Sequence, residues 1–318
     1  MTTIAVLGMF PSMPDDLARH LPDDRIVRFE RRGPFSGAAG IEVALGAPVS
    51  DLIRDFLAAA PDLRWLHTMS AGVERFLIPE VIERRNLTLT NNSGSYDVPI
   101  AEYVLGAMLS AAKRFPDYER AQARAHWEKE LRGAELHGST LVVLGLGSIG
   151  SEVARLACAF GMRVIGVRRR LELPGIAGLA EVIPPERLAD AVGQADFLAV
   201  TAPLTPATRG LVSRDVIARM KPTAWLVNIA RGAIVDEAAL LEALEERRIG
   251  GATIDAWWTE PLDAASEWWS LPNVVVTPHI SHSSQHVRER TLGLFLENLR
   301  RWKAREPLLN VVDLRAGY

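Results

Sequence analysis

Arg231, Glu260 and His279 are the residues of this chain that together could move a proton beside an anionic reactant. A histidine can give or take a proton near neutrality, because its ordinary pKa is about 6.5. A carboxylate bonded to the ring favours the imidazolium and fixes its orientation, which Glu260 could do. A guanidinium is a planar, two-pronged donor that holds a carboxylate and polarises the carbonyl beside it better than an ammonium does. The set suits reduction of a keto group next to a carboxylate. Hydride goes to carbon, a proton goes to oxygen, and a cation must meet the charge that develops between the two events. Each residue also has an ordinary alternative. Arg231 could pair with Asp236 at a helix start, Glu260 could be a solvated loop charge, and His279 could be a satisfied polar group beside Pro278.

Such chemistry needs a hydride source, and Gly145-Leu146-Gly147-Ser148-Ile149-Gly150 is the sequence that could hold one. The apolar run Leu141 to Leu144 precedes it, helix-like sequence from Ser151 to Phe160 follows, and a second strand is expected at Arg163 to Val167. In that setting the first glycine permits a tight turn and the second lets backbone approach a pyrophosphate. The third lets helix and strand pack closely, with the helix N-terminus facing the anion. Sites that prefer NAD carry an acidic residue at the end of the second strand. Here stand Arg168-Arg169-Arg170. Guanidinium groups can hold a 2′-phosphate that a carboxylate would repel, so the sequence favours NADP(H) over NAD(H). The ordinary alternative is a solvated basic loop.

All of these residues follow short apolar runs, so strands must place them. Arg231 follows Trp225 to Ile229, and Glu260 and His279 follow the next two runs, at the strand ends where open α/β sheets bind ligands. Strands are expected at Ile4 to Leu7, Ile26 to Phe29, Val43 to Leu45, Leu63 to His67 and Leu87 to Thr90, with helical stretches such as Pro14 to His20, Ser50 to Ala60 and Val73 to Glu83 between them. A turn-rich segment, Asn91 to Ser95, closes this unit, and a long helix from Pro99 to His126 follows. The rhythm then restarts with Thr140 to Leu144, Arg163 to Val167, Phe197 to Thr201, Ala224 to Ile229, Ala252 to Ala256 and Val274 to Thr277, and ends on a helix from Gln285 to Lys303. Two α/β domains, each a parallel sheet covered by helices, are the economical reading, with a cleft between them for ligands.

With 318 residues, 48% hydrophobic and 24% charged, the chain can bury sizeable cores without disulfides. Its 36 basic and 39 acidic side chains leave a net charge of -3, too small a field to draw it to nucleic acid or an anionic membrane. The single Cys158 allows no internal disulfide, and no Cys/His cluster has the spacing of a metal site. The lone cysteine points to a reducing cytoplasm, and the opening apolar run, which lacks a positively charged flank and reaches Gly8 too soon for a signal peptide or a membrane span, reads as a buried strand.

Several motifs in order carry a resemblance: Thr68-Met69-Ser70-Ala71-Gly72-Val73, Gly145 to Gly150, Val227-Asn228-Ile229-Ala230-Arg231-Gly232, Asp255 to Leu262, and Val276-Thr277-Pro278-His279. Over nearly its whole length the chain resembles the D-isomer-specific 2-hydroxyacid dehydrogenases, most of all their glyoxylate/hydroxypyruvate reductase branch. The resemblance implies a flavodoxin-like substrate domain around an inserted Rossmann domain with a doubly wound parallel sheet. Residues 1–96 would form the substrate domain, 97–284 the dinucleotide domain, and 285–318 a helix returning to the first. It also implies reduction of a small 2-keto acid to a D-2-hydroxy acid, with Arg231, Glu260 and His279 as the catalytic set and His279 as proton donor. The amides of Ala71 and Gly72, with Arg231, would hold the substrate carboxylate. The glycine turn, Arg168 and Arg169, Thr201, Ala202, Pro203, Ile229, Ala230, Arg231 and His279 would line the cofactor, and Asp255 would face the nicotinamide carboxamide. Members are usually dimers joined through the dinucleotide domains, which would place a partner at the helix after Pro99.

Some residues stay open. His282 could reach the substrate or cap the following helix, and the second reading is preferred. Trp257, Trp258, Trp268 and Trp269 could narrow the pocket or meet a partner, with buried packing as the default. Trp127 and Tyr96 are further pocket candidates. Two rivals share the motifs: a cofactor-sensing protein like the NAD(H)-binding transcriptional corepressors, and another oxidoreductase of the formate or phosphonate dehydrogenase kind.

Overall fold

The computed structural model describes residues 1–7, 10–172 and 176–318. They form two compact units, Met1–Tyr96 with Ser284–Tyr318, and Asp97–Ser283.

In the first unit the strands are β1 (Thr3–Leu7), β2 (Arg25–Arg28), β3 (Val43–Gly46), β4 (Trp65–His67) and β5 (Thr88–Thr90), of which β1, β3 and β4 are shielded on both faces. All pairings are parallel, in the flavodoxin-like order β2-β1-β3-β4-β5. One core holds Phe29, Phe35 and Phe56, with ring centroids 5.3 to 6.4 Å apart. In the other, Trp65 stacks on Phe295 and Trp302 of the Val287–Ala304 helix, at 5.1 and 5.8 Å. Arg288 of that helix donates twice to the buried Asp16 of the Met13–His20 helix, at 2.5 and 3.0 Å, so the last helix is bolted onto the first. The expected Val73–Glu83 helix is instead a 3₁₀ turn, Glu74–Phe76, and a one-turn helix, Pro79–Ile82. Pro79 explains the interruption, because it holds Ile78 in extended backbone.

The second unit contains β6 (Thr140–Leu144), β7 (Arg163–Val167), β8 (Glu181–Ile183), β9 (Phe197–Val200), β10 (Trp225–Asn228), β11 (Gly251–Ile254) and β12 (Val274–Val276). They lie parallel in the order β12-β11-β10-β9-β6-β7-β8. This is the Rossmann order with one strand added, and chain direction across the sheet switches between β6 and β9. Two features depart from the sequence reading. Strand β8 was not anticipated, because it is short, half-buried and at the edge. The long helix after Pro99 is two helices, Asp97–Ala112 and Phe115–Ala123, with Arg114 between them at φ 61°. Pro116 forbids a continuous helix: it has no N–H, and its ring would strike the Ala112 carbonyl. That carbonyl accepts from Ala134 N at 2.7 Å. Among the described residues, no helix is long and apolar enough to cross a membrane, and no His/Cys/Asp/Glu group is arranged to hold a metal.

Candidate active site

The glycine turn sits at the switch point of the second sheet, after β6. Gly145 has φ 104°, and a Cβ there would lie 2.5 Å from the Ala202 Cα. A Cβ on Gly150 would lie 1.9 Å from the Gly145 carbonyl oxygen and 2.7 Å from Thr201 Oγ1. These two glycines press the Ser148–Ala159 helix against the ends of β6 and β9, where Thr201 Oγ1 donates to Gly145 O at 2.7 Å. Gly147 is different. A Cβ there meets no described atom within 4 Å, so the position faces open space at the N-terminus of that helix. Ser148 donates its hydroxyl to Asp97, while Ile149 is half-buried. Arg168 directly follows β7, with its N–H on the Ile183 carbonyl at 3.0 Å, and Arg169 is exposed beside it. A helix start exposed at Gly147 and Ser148, an approach at Gly147 free of side chains, and cations after the next strand fit a dinucleotide phosphate.

The catalytic candidates follow β10, β11 and β12, three adjacent strands. Both Glu260 carboxylate oxygens lie 3.0 Å from His279 Nδ1, and the two side chains are partly exposed. Glu260 Oε1 also accepts from Trp257 N at 2.9 Å, and the Trp257 indole donates to Thr277 O at 3.0 Å. Gly232, next to Arg231, packs on the same tryptophan: a Cβ would lie 2.5 Å from the Trp257 carbonyl carbon and 2.4 Å from Trp258 N. Trp257 therefore touches all three loops. Arg231 donates to Ala230 O at 2.6 Å, Ala230 N donates to Asn228 Oδ1, and Asp236 caps the Glu237–Glu245 helix. Pro203 O accepts from Thr208, and Ile229 N donates to Val200 O.

Asp255 follows β11 and is buried. Its carboxylate accepts from Thr277 Oγ1 at 2.7 Å, Ile280 N at 2.8 Å and Ser281 N at 2.9 Å. Burial alone would raise its pKa, but hydrogen bonds from Ser281, Thr277 and the Ile280 and Ser281 backbone outweigh it and hold the carboxyl below its ordinary value. His282 departs from expectation. The helix begins at Val287 with His286 as its N-cap, so His282 lies before the helix start. Its ring lies 6.4 Å from that of His279, and its pKa is lowered by burial first and by His279 second. The tryptophans mostly pack on one another: Trp258 stacks on Trp268 at 5.4 Å, and Trp257 meets Trp268 edge-on at 5.7 Å. Trp269 and Trp127 are exposed.

In the first unit, the loop after β4 is held by its carbonyls. Met69 O accepts from the Tyr96 hydroxyl, Ser70 O from Asn92 N at 3.1 Å, Ala71 O from Asn91 Nδ2 at 3.1 Å, and Gly72 O from Ser70 Oγ at 2.7 Å. A trans peptide points its C=O and N–H in opposite directions. The Ala71 and Gly72 N–H groups therefore point away from the donors that hold the Ser70 and Ala71 carbonyls, as an anion-binding loop requires.

The family profile described as D-isomer specific 2-hydroxyacid dehydrogenase, NAD binding domain, matches residues 105–281, more than half of the chain. The chain belongs to the D-isomer specific 2-hydroxyacid dehydrogenases. Among its relatives in this family, glyoxylate/hydroxypyruvate reductase B of Pectobacterium carotovorum is 35% identical over 254 residues, covering 77% of this chain and 78% of that one. D-3-phosphoglycerate dehydrogenase of Methanocaldococcus jannaschii is 33% identical over 264 residues, covering 82% of this chain and 49% of the relative, so this chain spans about half its length. Among solved structures of the family, an NADPH-dependent glyoxylate/hydroxypyruvate reductase from Sinorhizobium meliloti, in complex with NADP and sulfate, superposes with a TM-score of 0.86 at 27% identity over 100% of both chains. Sequence reasoning about this dehydrogenase family overlooked the supports of the site. Trp257 stays open there between pocket, partner and packing, and Tyr103, Thr277 and the Ser70, Asn91 and Asn92 set have no role. The signal available for Thr277 was its place in the His279 motif, two residues before the ring.

Proposed function

We propose that this chain reduces a small 2-keto acid of the glyoxylate or hydroxypyruvate type to the D-2-hydroxy acid, with NADPH preferred over NADH. The observation that carries the reading is the His279 and Glu260 pair, Nδ1 to both carboxylate oxygens at 3.0 Å, in line along one sheet with Arg231 and the glycine turn. Bound NADPH would supply the hydride. The amides of Gly147 to Gly150 would hold its pyrophosphate, Arg168 and Arg169 its 2′-phosphate, and Thr201 to Pro203 and Ile229 to Arg231 would line its remainder. That the similar reductase of Sinorhizobium meliloti is NADPH-dependent and binds NADP supports the preference.

Glu260 takes the Nδ1 side of the imidazole, which leaves Nε2 to face the substrate. His279 gives its proton from Nε2 to the substrate oxygen as the carbonyl carbon is reduced, and the Glu260 carboxylate holds the ring in place through Nδ1. Arg231 holds the substrate carboxylate and polarises the adjacent carbonyl, and the amides of Ala71 and Gly72 share the carboxylate. Residues 97–283 provide the surface for a homodimer. Loss of NADPH absorbance with glyoxylate, hydroxypyruvate, pyruvate and bulkier 2-keto acids, repeated with NADH, tests the reading. Turnover of the small acids with NADPH favoured is expected. A preference for NADH would remove the 2′-phosphate assignment of Arg168 and Arg169. Cofactor binding without turnover of any keto acid would overturn the reductase reading and favour a sensing protein.

A further inference from the structure

The Asp97–Ala112 helix sends one side chain to the loop that carries His279. Tyr103 Oη lies 2.6 Å from Thr277 Oγ1. The single proton of the Thr277 hydroxyl is committed to Asp255 Oδ1 at 2.7 Å, so the phenol must be the donor and Thr277 the acceptor. Burial pushes the Tyr103 hydroxyl up to about 12, with Thr277 opposing and Asp255 adding to the rise, and it therefore keeps its proton at working pH. The result is a relay in one direction, Tyr103 to Thr277 to Asp255, ending on a charged carboxylate, where such bonds are strongest.

The same carboxylate takes the N–H groups of Ile280 and Ser281. Thr277 stands two residues before His279 and Ile280 one residue after it, so the relay grips the loop on both sides of the imidazole. His279 itself has φ 54°, a left-handed conformation that a side-chain-bearing residue keeps only where its surroundings over-determine it. Asp255, Thr277 and Tyr103 are those surroundings on one side, and Glu260 and Trp257 are on the other.

We infer that Tyr103 is a positioning residue for His279, its hydroxyl holding the Thr277–Ser281 loop through Thr277 and Asp255 so that Nδ1 stays on Glu260. The inference rests on the reductase reading for its kinetic readout only.

Tyr103→Phe in the full chain removes one oxygen and leaves the ring in place. Its kcat for keto-acid reduction is expected to fall about tenfold, the worth of one well-placed hydrogen bond, with both KM values changed less than about twofold. In a His279→Gln background the same substitution should cost nothing more, because no imidazole is left to position. General structural damage would lower the residual rate of His279→Gln as well, and that result overturns the inference, as does an unchanged kcat in Tyr103→Phe. A second measurement needs no substrate. The imidazole Nδ1 proton of His279, identified in the NMR spectrum by its absence in His279→Gln, should be resolved in the wild type and broadened by water exchange in Tyr103→Phe. If no keto acid turns over, the reductase reading falls while this comparison still decides the inference, and an unchanged resonance overturns it.

Discussion

At the scale of single residues, His67 and His279 show how the same side chain acquires opposite character. His279 is partly exposed and faces a carboxylate. His67 lies inside the first unit between Trp65 and Phe295, with Nδ1 2.8 Å from Thr90 Oγ1. The Trp65 indole donates to that same oxygen at 2.8 Å, so Thr90 joins the two rings inside the core. Burial lowers the His67 pKa to about 4, with Asn92 offsetting part of the effect. The folded value lies below the unfolded value of about 6.5, so the unfolded chain takes up the proton first as pH falls. The stability tied to this residue is whole above about pH 6.5 and is lost progressively down to about pH 4, where the loss amounts to about 3 kcal/mol. Urea unfolding at pH 7 and pH 4.5 should show a smaller difference in His67→Phe than in the wild type. Equal differences would mean that the ring is not held neutral.

At the scale of elements, the glycine turn separates steric need from ligand need. Gly150 has no room for a methyl group, because the Gly145 carbonyl and Thr201 hydroxyl already occupy the space. Gly147 has room in the protein alone, since a Cβ there meets no described atom within 4 Å. Gly150→Ala should therefore push the Ser148–Ala159 helix off β6, cost about 1–3 kcal/mol of stability and weaken NADPH binding together. Gly147→Ala should change stability by no more than about 0.5 kcal/mol and still weaken NADPH binding, because the methyl would stand where a phosphate approaches. Thermal melts beside a fluorescence titration with NADPH would separate the two. Equal NADPH affinity in wild type and Gly147→Ala would displace the cofactor from this turn.

At the scale of the whole molecule, the two units differ in how the chain builds them. Residues 97–283 form the second unit without interruption, with a complete seven-stranded sheet and its own core. The first unit needs residues from both sides of that stretch, because Phe295 and Leu299 fill the core under Trp65. A chain of residues 97–283 is therefore expected to fold, melt cooperatively and bind NADPH, yet reduce no keto acid, because the substrate contacts proposed for Ala71 and Gly72 are missing. Turnover by that piece would overturn that proposal.

The strands and the glycine turn were legible because their causes are local. Leu141 to Leu144 and Val43 to Leu45 are buried on both faces and read as unbroken apolar runs, and the steric demands on Gly145 and Gly150 arise within one turn. Arg231, Glu260 and His279 were legible as polar residues in the loops that follow apolar runs. The helix break was also local, written in Pro116, and β8 was not, because a half-exposed edge strand of three residues carries no apolar signature. Only the tertiary structure decided the direction of the Asp255 carboxylate, the left-handed backbone of His279, and the meeting of Tyr103 with Thr277 or of Asn92 with Thr291, pairs 174 and 199 residues apart. A sequence determines what neighbouring residues and the period of burial impose. Contacts across such separations exist only after packing has overcome the entropy of closing the chain between them, so they belong to the folded molecule and have no local signal to read.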